Sequence, residues 1–346
     1  MFYNACRVAE LSKWINPVVA GMADMAGMRI VVLGAGAIGS VFGGLLARAG
    51  HRVTLIGRRA HIEAIAAQGL LIDGIWGTYR VRNLCGYTSL KEMPEQERAG
   101  CELALVTVKS HDTDALMRSC MPVLPEQLTF VSLQNGLGNI ECIAGHAGSG
   151  RVIGGRVIFG VVFVENAHVR VTVEADKTAV GVPGFGTADS SLVERLSAMF
   201  SGAGIASVVT DHIEQLLWAK MLYNCALNAL ATILNTHYGA LLATGLQDTM
   251  RGIISEIFDV AACAGIELPY SGSEQYAQLL FDELIPRTYD HLPSMLQDIK
   301  RGKKTEIDAL NGYIVGMART CGCQVPCNTM LVTLMRSLES MHRQDG

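Results

Sequence analysis

Residues Arg29 to Arg59 read RIVVLGAGAIGSVFGGLLARAGHRVTLIGRR, which predicts a strand, a turn, a helix and a second strand. The run from Arg29 to Leu33 is apolar and rich in β-branched residues, as is typical of a buried parallel strand. The helix is expected from Ser40 to Ala49, and the second strand from Arg52 to Ile56. This order of elements indicates an α/β fold with a parallel sheet.

The turn Gly34-Ala35-Gly36-Ala37-Ile38-Gly39 follows the first strand directly and has the spacing G-x-G-x-x-G. Gly34 permits the tight turn, Gly36 lets a pyrophosphate approach the backbone, and Gly39 lets helix and strand pack closely. The helix N-terminus would donate N–H groups to the phosphates. For an isolated match, a glycine turn without a ligand is an equal alternative, but the flanking strand and helix favour a dinucleotide site.

The end of the second strand indicates which dinucleotide binds. An NAD site places a carboxylate about twenty residues after the glycines, whereas an NADP site favours an arginine. This chain has Gly57-Arg58-Arg59 there, and no acidic residue before Glu63. Because a guanidinium binds a 2′-phosphate through charge-assisted hydrogen bonds, we predict NADP(H) as the cofactor, with Arg58 as its ligand. The alternative is a pair of solvated arginines at a helix start.

Length and composition indicate two domains and exclude some partners. The chain has 346 residues, of which 50% are hydrophobic and 17% are charged, and a net charge of -4. This charge gives no attraction to nucleic acid. Residues Met221 to Gln247 are long and uncharged enough to span a membrane, but they contain several asparagines and a histidine, so we predict a buried helix.

Ten cysteines lie scattered without a disulfide framework, which fits a reducing cytoplasm. Cys321, Cys323 and Cys327 have the spacing C-x-C-x-x-x-C, which does not match a zinc site, so they are expected to be small buried thiols. No metal is predicted. Residues 1–27 precede the first strand and lack the apolar core of a secretory signal, and we interpret them as an N-terminal extension.

Two further buried strands end in polar residues. Leu103 to Val108 ends at Lys109, and Thr129 to Gln134 leads into Asn135. Since ligands of open α/β sheets bind at the carboxyl ends of the strands, both side chains are candidates for contacts with cofactor or substrate. A lysine pointing to water and an ordinary Asn-Gly turn are the alternatives.

After about residue 210 the chain is predicted to be nearly all helical. The longest helix, from His212 to about Leu234, carries Lys220, Asn224 and Asn228. Their spacing of four aligns them on one face among leucines. Buried polar groups need partners, which either a ligand or an internal hydrogen-bonded seam could provide. Ser294 and Glu306 lie twelve residues apart, about 120° from a common face on one straight helix.

Taken together, five segments resemble the ketopantoate reductase family, the 2-dehydropantoate 2-reductases, in their order and spacing. They are GAGAIGS at Gly34, VTVKS ending at Ser110, LQNG around Asn135, WAKMLYNCALNALATI around Lys220, and SMLQDIKRGKKTEIDALNG from Ser294. The resemblance covers Met28 to the C-terminus. It implies an α/β Rossmann-type N-terminal domain, residues 28–209, that binds NADP, followed by an all-α C-terminal domain, residues 210–346, that binds substrate.

The resemblance also implies individual roles. The glycines would bind the pyrophosphate, Arg58 the 2′-phosphate of NADPH, and Lys109 and Asn135 would lie near the nicotinamide and ribose. Lys220 would be the general acid. The remaining residues, which would bind substrate, are Asn224, Asn228, Ser294 and Glu306, with Glu306 paired to the substrate hydroxyl. Where well-known members have another substrate-contacting asparagine, this chain has Tyr238, with Asn235 three residues earlier.

The implied function is NADPH-dependent reduction of ketopantoate to D-pantoate, a step towards pantothenate. One alternative is reduction of another branched or aromatic 2-keto acid on the same scaffold. A non-catalytic NADP-binding regulator would be expected to lack the lysine or its partners, yet Lys220, Asn224 and Glu306 are present. The oligomeric state is undefined, and a homodimer is one compatible assembly.

Overall fold

The computed structural model describes residues 27–242 and 245–344. The described residues divide into two compact units. One comprises residues 27–135 and 139–213, and the other comprises residues 136–138 and 214–344 without the gap. The predicted extension lies outside the described residues except for Gly27. The predicted domain boundary between residues 209 and 210 stays a prediction.

The first unit holds two β-sheets. Its strands are β1 (Arg29–Leu33), β2 (Arg52–Ile56), β3 (Leu70–Gly74), β4 (Tyr79–Val81), β5 (Cys85–Tyr87), β6 (Leu103–Val106), β7 (Thr129–Ser132), β8 (Val152–Arg156), β9 (Phe159–Glu165), β10 (His168–Glu174), β11 (Thr178–Gly181) and β12 (Ser207–Val209). Its helices are α1 (Ala37–Arg48), α2 (Arg59–Gln68), α3 (Glu95–Ala99), α4 (Thr113–Cys120), α5 (Asn139–Ala147) and α6 (Ser190–Gly202).

The larger sheet has the order β12-β11-β8-β7-β6-β1-β2-β5. The six strands from β5 to β8 are parallel, and β11 pairs with β8 in the antiparallel direction. The strands β2 and β5 lie on one side of β1, and β6, β7 and β8 lie on the other, so the strand order changes direction at β1. Ligands of doubly wound sheets bind at the carboxyl ends of the strands beside such a switch point. The turn that follows β1 therefore lies where a dinucleotide is expected.

The smaller sheet has the order β4-β3-β10-β9, with β9 and β10 forming an antiparallel hairpin. Helix α1 packs against residues of both sheets. A Cβ added at Gly43 would lie 2.5 Å from Leu55 Cδ2 of the larger sheet, and one at Gly44 would lie 2.6 Å from Ile72 Cδ1 of the smaller sheet. Phe42, on the same helix, packs edge-on against Phe200 of α6 with ring centroids 4.9 Å apart. The absence of side chains at the two glycines lets one helix fill the space beside both sheets.

The second unit is helical throughout its described length, apart from turns. Its helices are α7 (Ile213–Ile233, whose first residue the first unit contains), α8 (Leu246–Cys263), α9 (Ser273–Leu279), α10 (Ile285–Arg287), α11 (Ser294–Lys300), α12 (Asn311–Cys321) and α13 (Pro326–Gln344). A π-helical turn over Leu280–Leu284 joins α9 to α10. The predicted fold class, an α/β domain followed by an all-α domain, is confirmed.

Several predicted boundaries differ from the structure. Helix α1 begins at Ala37, three residues before the predicted start, so part of the glycine turn is already helical. The strands predicted to end at Val108 and Gln134 end at Val106 and Ser132. The three clustered cysteines are half-buried and not fully buried as predicted, because the chain around them leaves α12 and enters α13 near the surface.

The candidate membrane span is divided in the structure. Helix α7 ends at Ile233, and the following residues turn before a short 3-10 helix over Tyr238–Leu242. No helix within residues 27–242 and 245–344 is long and apolar enough to cross a bilayer.

Candidate active site

The glycine turn after β1 has a backbone that only glycine accommodates at Gly34. Its φ is +111°, and an added Cβ would lie 2.6 Å from the backbone nitrogen of Val108. Hydrogen bonds to two neighbouring segments hold the turn. The N–H of Ala35 donates to the carbonyl oxygen of Ile56 at 2.8 Å, and the Thr107 hydroxyl donates to the carbonyl oxygen of Gly34 at 2.7 Å. These contacts fix the turn at the carboxyl end of the central strand.

The N-terminus of α1 is open to a ligand. Gly36 is the N-cap residue, no side chain caps the helix, and no acidic residue lies in its first turn. A Cβ added at Gly36 would meet no atom within 4 Å, whereas one at Gly39 would lie 2.5 Å from the Thr107 hydroxyl and closer still to the Gly34 carbonyl oxygen. Unpaired N–H groups at the end of a helix attract an anion. The turn and the half-exposed Ala37 and Ile38 thus form a site that fits a pyrophosphate.

Arg58 occupies the end of the second strand, as the cofactor prediction requires. It is the N-cap residue of α2 and is exposed, and it forms no salt bridge within the described residues. Its neighbour Arg59 instead lies 3.6 Å from the Glu63 carboxylate on the same helix. Of the two arginines, Arg58 has the guanidinium that is available for a phosphate.

A buried histidine, which sequence reasoning missed, connects α2 to α1. The N–H of Ala167 donates to His61 Nδ1 at 3.1 Å, so the proton lies on Nε2, which is 3.0 Å from the Ser40 hydroxyl. Burial, and then the positive charge of Arg58, lower the pKa of His61 from 6.5 to about 4. The neutral imidazole therefore holds the first turn of α1 to the helix that begins after Arg58. Its partner Ala167 lies 106 residues away, so no local pattern announces the contact.

The loops that carry Lys109 and Asn135 are tied together in the first unit. The Ser110 hydroxyl donates to the Asn135 carbonyl oxygen at 2.7 Å, and the Asn139 amide donates to the same oxygen at 3.0 Å. Asn139 also accepts a hydrogen bond of 3.0 Å from the Thr113 hydroxyl at the start of α4. These bonds bring the carboxyl ends of β6 and β7 together as the sequence predicts, although the roles of Lys109 and Asn135 stay predictions.

Helix α7 carries the predicted polar row through an apolar interior. Lys220 is half-buried, Asn224 is 7% exposed and Asn228 is 3% exposed. The side-chain oxygen Oδ1 of Asn228 has no hydrogen-bond partner among the described residues. A buried acceptor without a partner costs about 1–3 kcal/mol. An internal seam would be expected to pair this oxygen, so the structure favours a ligand as its partner.

Ser294 and Glu306 lie on separate elements. Ser294 is the exposed first residue of α11, and that helix ends at Lys300, so the two residues do not share one straight helix. Glu306 is 7% exposed. The residue before it, Thr305, donates from its backbone N–H at 2.7 Å and from its hydroxyl at 2.5 Å to one carboxylate oxygen of Glu339 on α13. Glu339 thus fixes the backbone beside Glu306, a role for which its distant position gave no sequence signal.

Tyr238 lies in an aromatic cluster of the same unit. It is 2% exposed, and its ring packs against Tyr223 at 5.7 Å and against His291 at 5.2 Å between centroids. Burial, followed by the neighbouring Tyr223, raises the pKa of Tyr238 well above its usual value. Asn235 is exposed and has a φ of +49°. Tyr238, and not Asn235, is therefore the buried residue of this segment.

Comparison with known proteins gives matches over nearly the whole chain. The model of the ketopantoate reductase PanE/ApbA family matches residues 30–183, and the model of its C-terminal part matches residues 212–339. The chain is 33% identical over 319 residues to a 2-dehydropantoate 2-reductase of Aquifex aeolicus, covering 92% of this chain and 99% of the relative. It is 36% identical over 315 residues to one of Pyrococcus horikoshii, covering 91% and 98%.

A solved structure agrees with these matches. The crystal structure of a PanE/ApbA family ketopantoate reductase from Ralstonia eutropha superposes with a TM-score of 0.79 at 31% identity. The match covers 91% of this chain and 100% of that one.

Proposed function

The chain belongs to the ketopantoate reductase family of oxidoreductases, and we propose that it reduces 2-dehydropantoate to D-pantoate with NADPH. The observation that carries this proposal is the polar row on α7, where Lys220 precedes two buried asparagines and the Oδ1 of Asn228 lacks a partner among the described residues. Such a row supplies a proton donor and hydrogen-bonding groups to a small polar substrate.

The residues of the first unit fit a phosphorylated dinucleotide. The open N-cap at Gly36, without an acidic residue in the first helical turn, suits a pyrophosphate. The exposed Arg58, without a salt bridge in the described part of the chain, suits the 2′-phosphate that distinguishes NADPH from NADH. When bound, NADPH supplies the hydride that reduces the ketone carbon.

Lys220 is the proposed general acid. Negative charge develops on the ketone oxygen during the reduction, and a protonated lysine stabilises this charge and then donates the proton that completes the hydroxyl group. Positioned acids of this kind typically contribute about 10²–10⁴ in rate. The half-buried position of Lys220 gives its ammonium group a stronger electrostatic effect than it would have in bulk water.

The other candidates bind the two ends of the substrate. The Ser294 hydroxyl and the amide of Asn224 donate hydrogen bonds to the carboxylate, and the Oδ1 of Asn228 shares the single proton of the substrate hydroxyl with the Glu306 carboxylate. Glu306 accepts a hydrogen bond from the hydroxyl that distinguishes ketopantoate from simpler branched 2-keto acids. A site built to pair a hydroxyl rejects analogues that lack it, because its buried acceptor then stays unpaired.

Substrate comparison tests the proposal. We expect NADPH oxidation with ketopantoate to have a kcat/KM at least ~10²-fold above that with 2-ketoisovalerate or phenylglyoxylate, as is typical for a site that pairs a hydroxyl. If an analogue without the hydroxyl is used better, the reductase chemistry stands but the assigned substrate is wrong.

The role of the lysine is tested separately. Lys220→Ala is expected to lower kcat by about 10²–10⁴ while NADPH binding is retained. Lys300→Ala, which removes an exposed lysine of α11, is the matched control. An unchanged kcat in Lys220→Ala would remove Lys220 as the acid.

A further inference from the structure

Three side chains with metal-binding atoms meet between α4 and α5, in the first unit. Asp114 lies in the first turn of α4, and Cys142 and His146 lie one turn apart on α5. The carboxylate oxygen, the thiol sulfur and the imidazole nitrogen all lie within 4.8 Å of one another. In the described ranges, no other set of three histidine, cysteine or acidic residues is this close. None of the three has a part in the proposed reduction.

The chemistry of these atoms selects a metal class. A thiolate, an imidazole and a carboxylate are the ligands that Zn²⁺ prefers, and three protein ligands leave a fourth position for water. Ligands at zinc bond lengths in a tetrahedron lie about 3.3–3.8 Å apart. We propose that Asp114, Cys142 and His146 bind a zinc-class divalent cation, with water as the fourth ligand.

The contacts of Asp114 suit this role. His146 Nε2 lies 2.9 Å from one carboxylate oxygen, Oδ1, while Arg118 Nη2 lies 2.8 Å from the other, Oδ2. A cation that takes the place of the proton between His146 Nε2 and Oδ1 leaves the bond to Arg118 intact, and this proton moves to Nδ1 because the metal-binding imidazole is the neutral tautomer. The arginine then orients the carboxylate, as hydrogen-bonding groups around a metal ligand commonly do.

The arrangement also defines the proton balance of binding. An ordinary cysteine thiol has a pKa of about 8.5, so in the metal-free protein the Cys142 thiol is mostly protonated at neutral pH. Binding transfers this proton to the solvent and forms the metal–sulfur bond without any change of oxidation state. The bound cation would join α4 to α5 in addition to the bond between Thr113 and Asn139 at the start of these helices.

Cobalt spectroscopy of the full chain tests the site. The protein is stripped with a chelator, kept reduced with a phosphine and titrated with Co²⁺, whose bond to a thiolate gives a charge-transfer absorption band. We expect one Co²⁺ per chain, displacement of the band by Zn²⁺, and loss of the band in Cys142→Ser. In Asp114→Asn and His146→Gln, binding should weaken by at least ~10-fold, since even changes outside the ligands commonly cost that much.

Cys263→Ser is the matched control, because the Cys263 thiol lies near Cys321 and Cys323 in the second unit and offers another sulfur site. This variant should retain the band. If the band persists in Cys142→Ser, is lost in Cys263→Ser, or never forms in the wild type, the proposal is wrong. Should Cys142→Ser unfold, as seen by circular dichroism without metal, the cobalt affinity of His146→Gln decides the question.

Discussion

Replacing Asn228 with leucine should separate stability from activity. Leucine has the same branched skeleton of heavy atoms as asparagine, and residue 228 is 3% exposed. The substitution removes the buried Oδ1 that lacks a partner among the described residues and costs about 1–3 kcal/mol. The slightly larger volume of leucine offsets part of this gain. We therefore expect Asn228→Leu to be more stable than the wild type by about 1–2 kcal/mol.

The same change should impair catalysis. Because the substrate hydroxyl loses one of its two acceptors, kcat/KM for ketopantoate should fall at least ~10-fold, which corresponds to about 1.4 kcal/mol. The assay pairs thermal melting with steady-state kinetics and NADPH binding. For a chain of this size, the melting temperature should rise by about 1 to 3 °C, while NADPH affinity stays unchanged.

Asn311 provides a matched comparison on α12. Its Oδ1 is also buried without a partner in the described part of the protein, but its amide nitrogen donates to the Cys225 carbonyl oxygen at 3.2 Å and to Asn328 Oδ1 at 2.9 Å. Asn311→Leu leaves Asn328 Oδ1 without this donor and removes the second hydrogen bond of the Cys225 carbonyl oxygen, which keeps its bond within α7, and should destabilise the chain by about 1–2 kcal/mol. A destabilised Asn228→Leu variant with normal activity would refute the reasoning, since Asn228 would then be structural.

Three further predictions concern the surroundings of the site. Arg58→Ala should weaken NADPH binding at least ~10-fold more than NADH binding in fluorescence titrations, and Arg59→Ala should not; equal losses for both coenzymes would assign the 2′-phosphate to another residue. Glu339→Gln should raise KM for ketopantoate but not for 2-ketoisovalerate, since the backbone beside Glu306 loosens; a uniform effect would make Glu339 purely structural. His61 has a pKa of about 4 in the folded chain and 6.5 in the unfolded chain, so the unfolded chain binds the proton first as the pH falls. The contribution of His61 to folding stability is therefore complete above pH 6.5 and is lost as the pH falls towards 4. The loss in the free energy of unfolding is on the order of 3 kcal/mol. In His61→Gln the free energy of unfolding should depend less steeply on pH across this range, whereas an unchanged slope would mean that other groups dominate.

Local signals predicted much of the fold. Apolar runs and glycine turns identified β1, β2 and α1, because a buried strand and a tight turn constrain neighbouring residues directly. The strand Val152–Arg156 was missed, since it contains two adjacent glycines and has little β propensity.

Contacts between distant residues could not be predicted. Glu339 reaches Thr305 across 34 residues, and His61 reaches Ala167 across 106, so only the folded chain reveals them. The proposed metal site had one local signal in the sequence, because Cys142 and His146 are four residues apart. The third ligand, Asp114, comes from another helix. Periodicity aligns residues on one helix, and it does not identify the neighbouring helix.

Gly43 and Gly44 within α1 also bear on how the first unit folds. Each makes the helix less stable than alanine would by about 1 kcal/mol, and an isolated helix of 12 residues is marginal even with better residues. Helix α1 therefore depends on docking against Leu55 and Ile72, one from each sheet, to stay helical. Its anion-binding amides form as part of a cooperative unit, so loosening of either sheet would abolish the phosphate site before the rest of the protein unfolds.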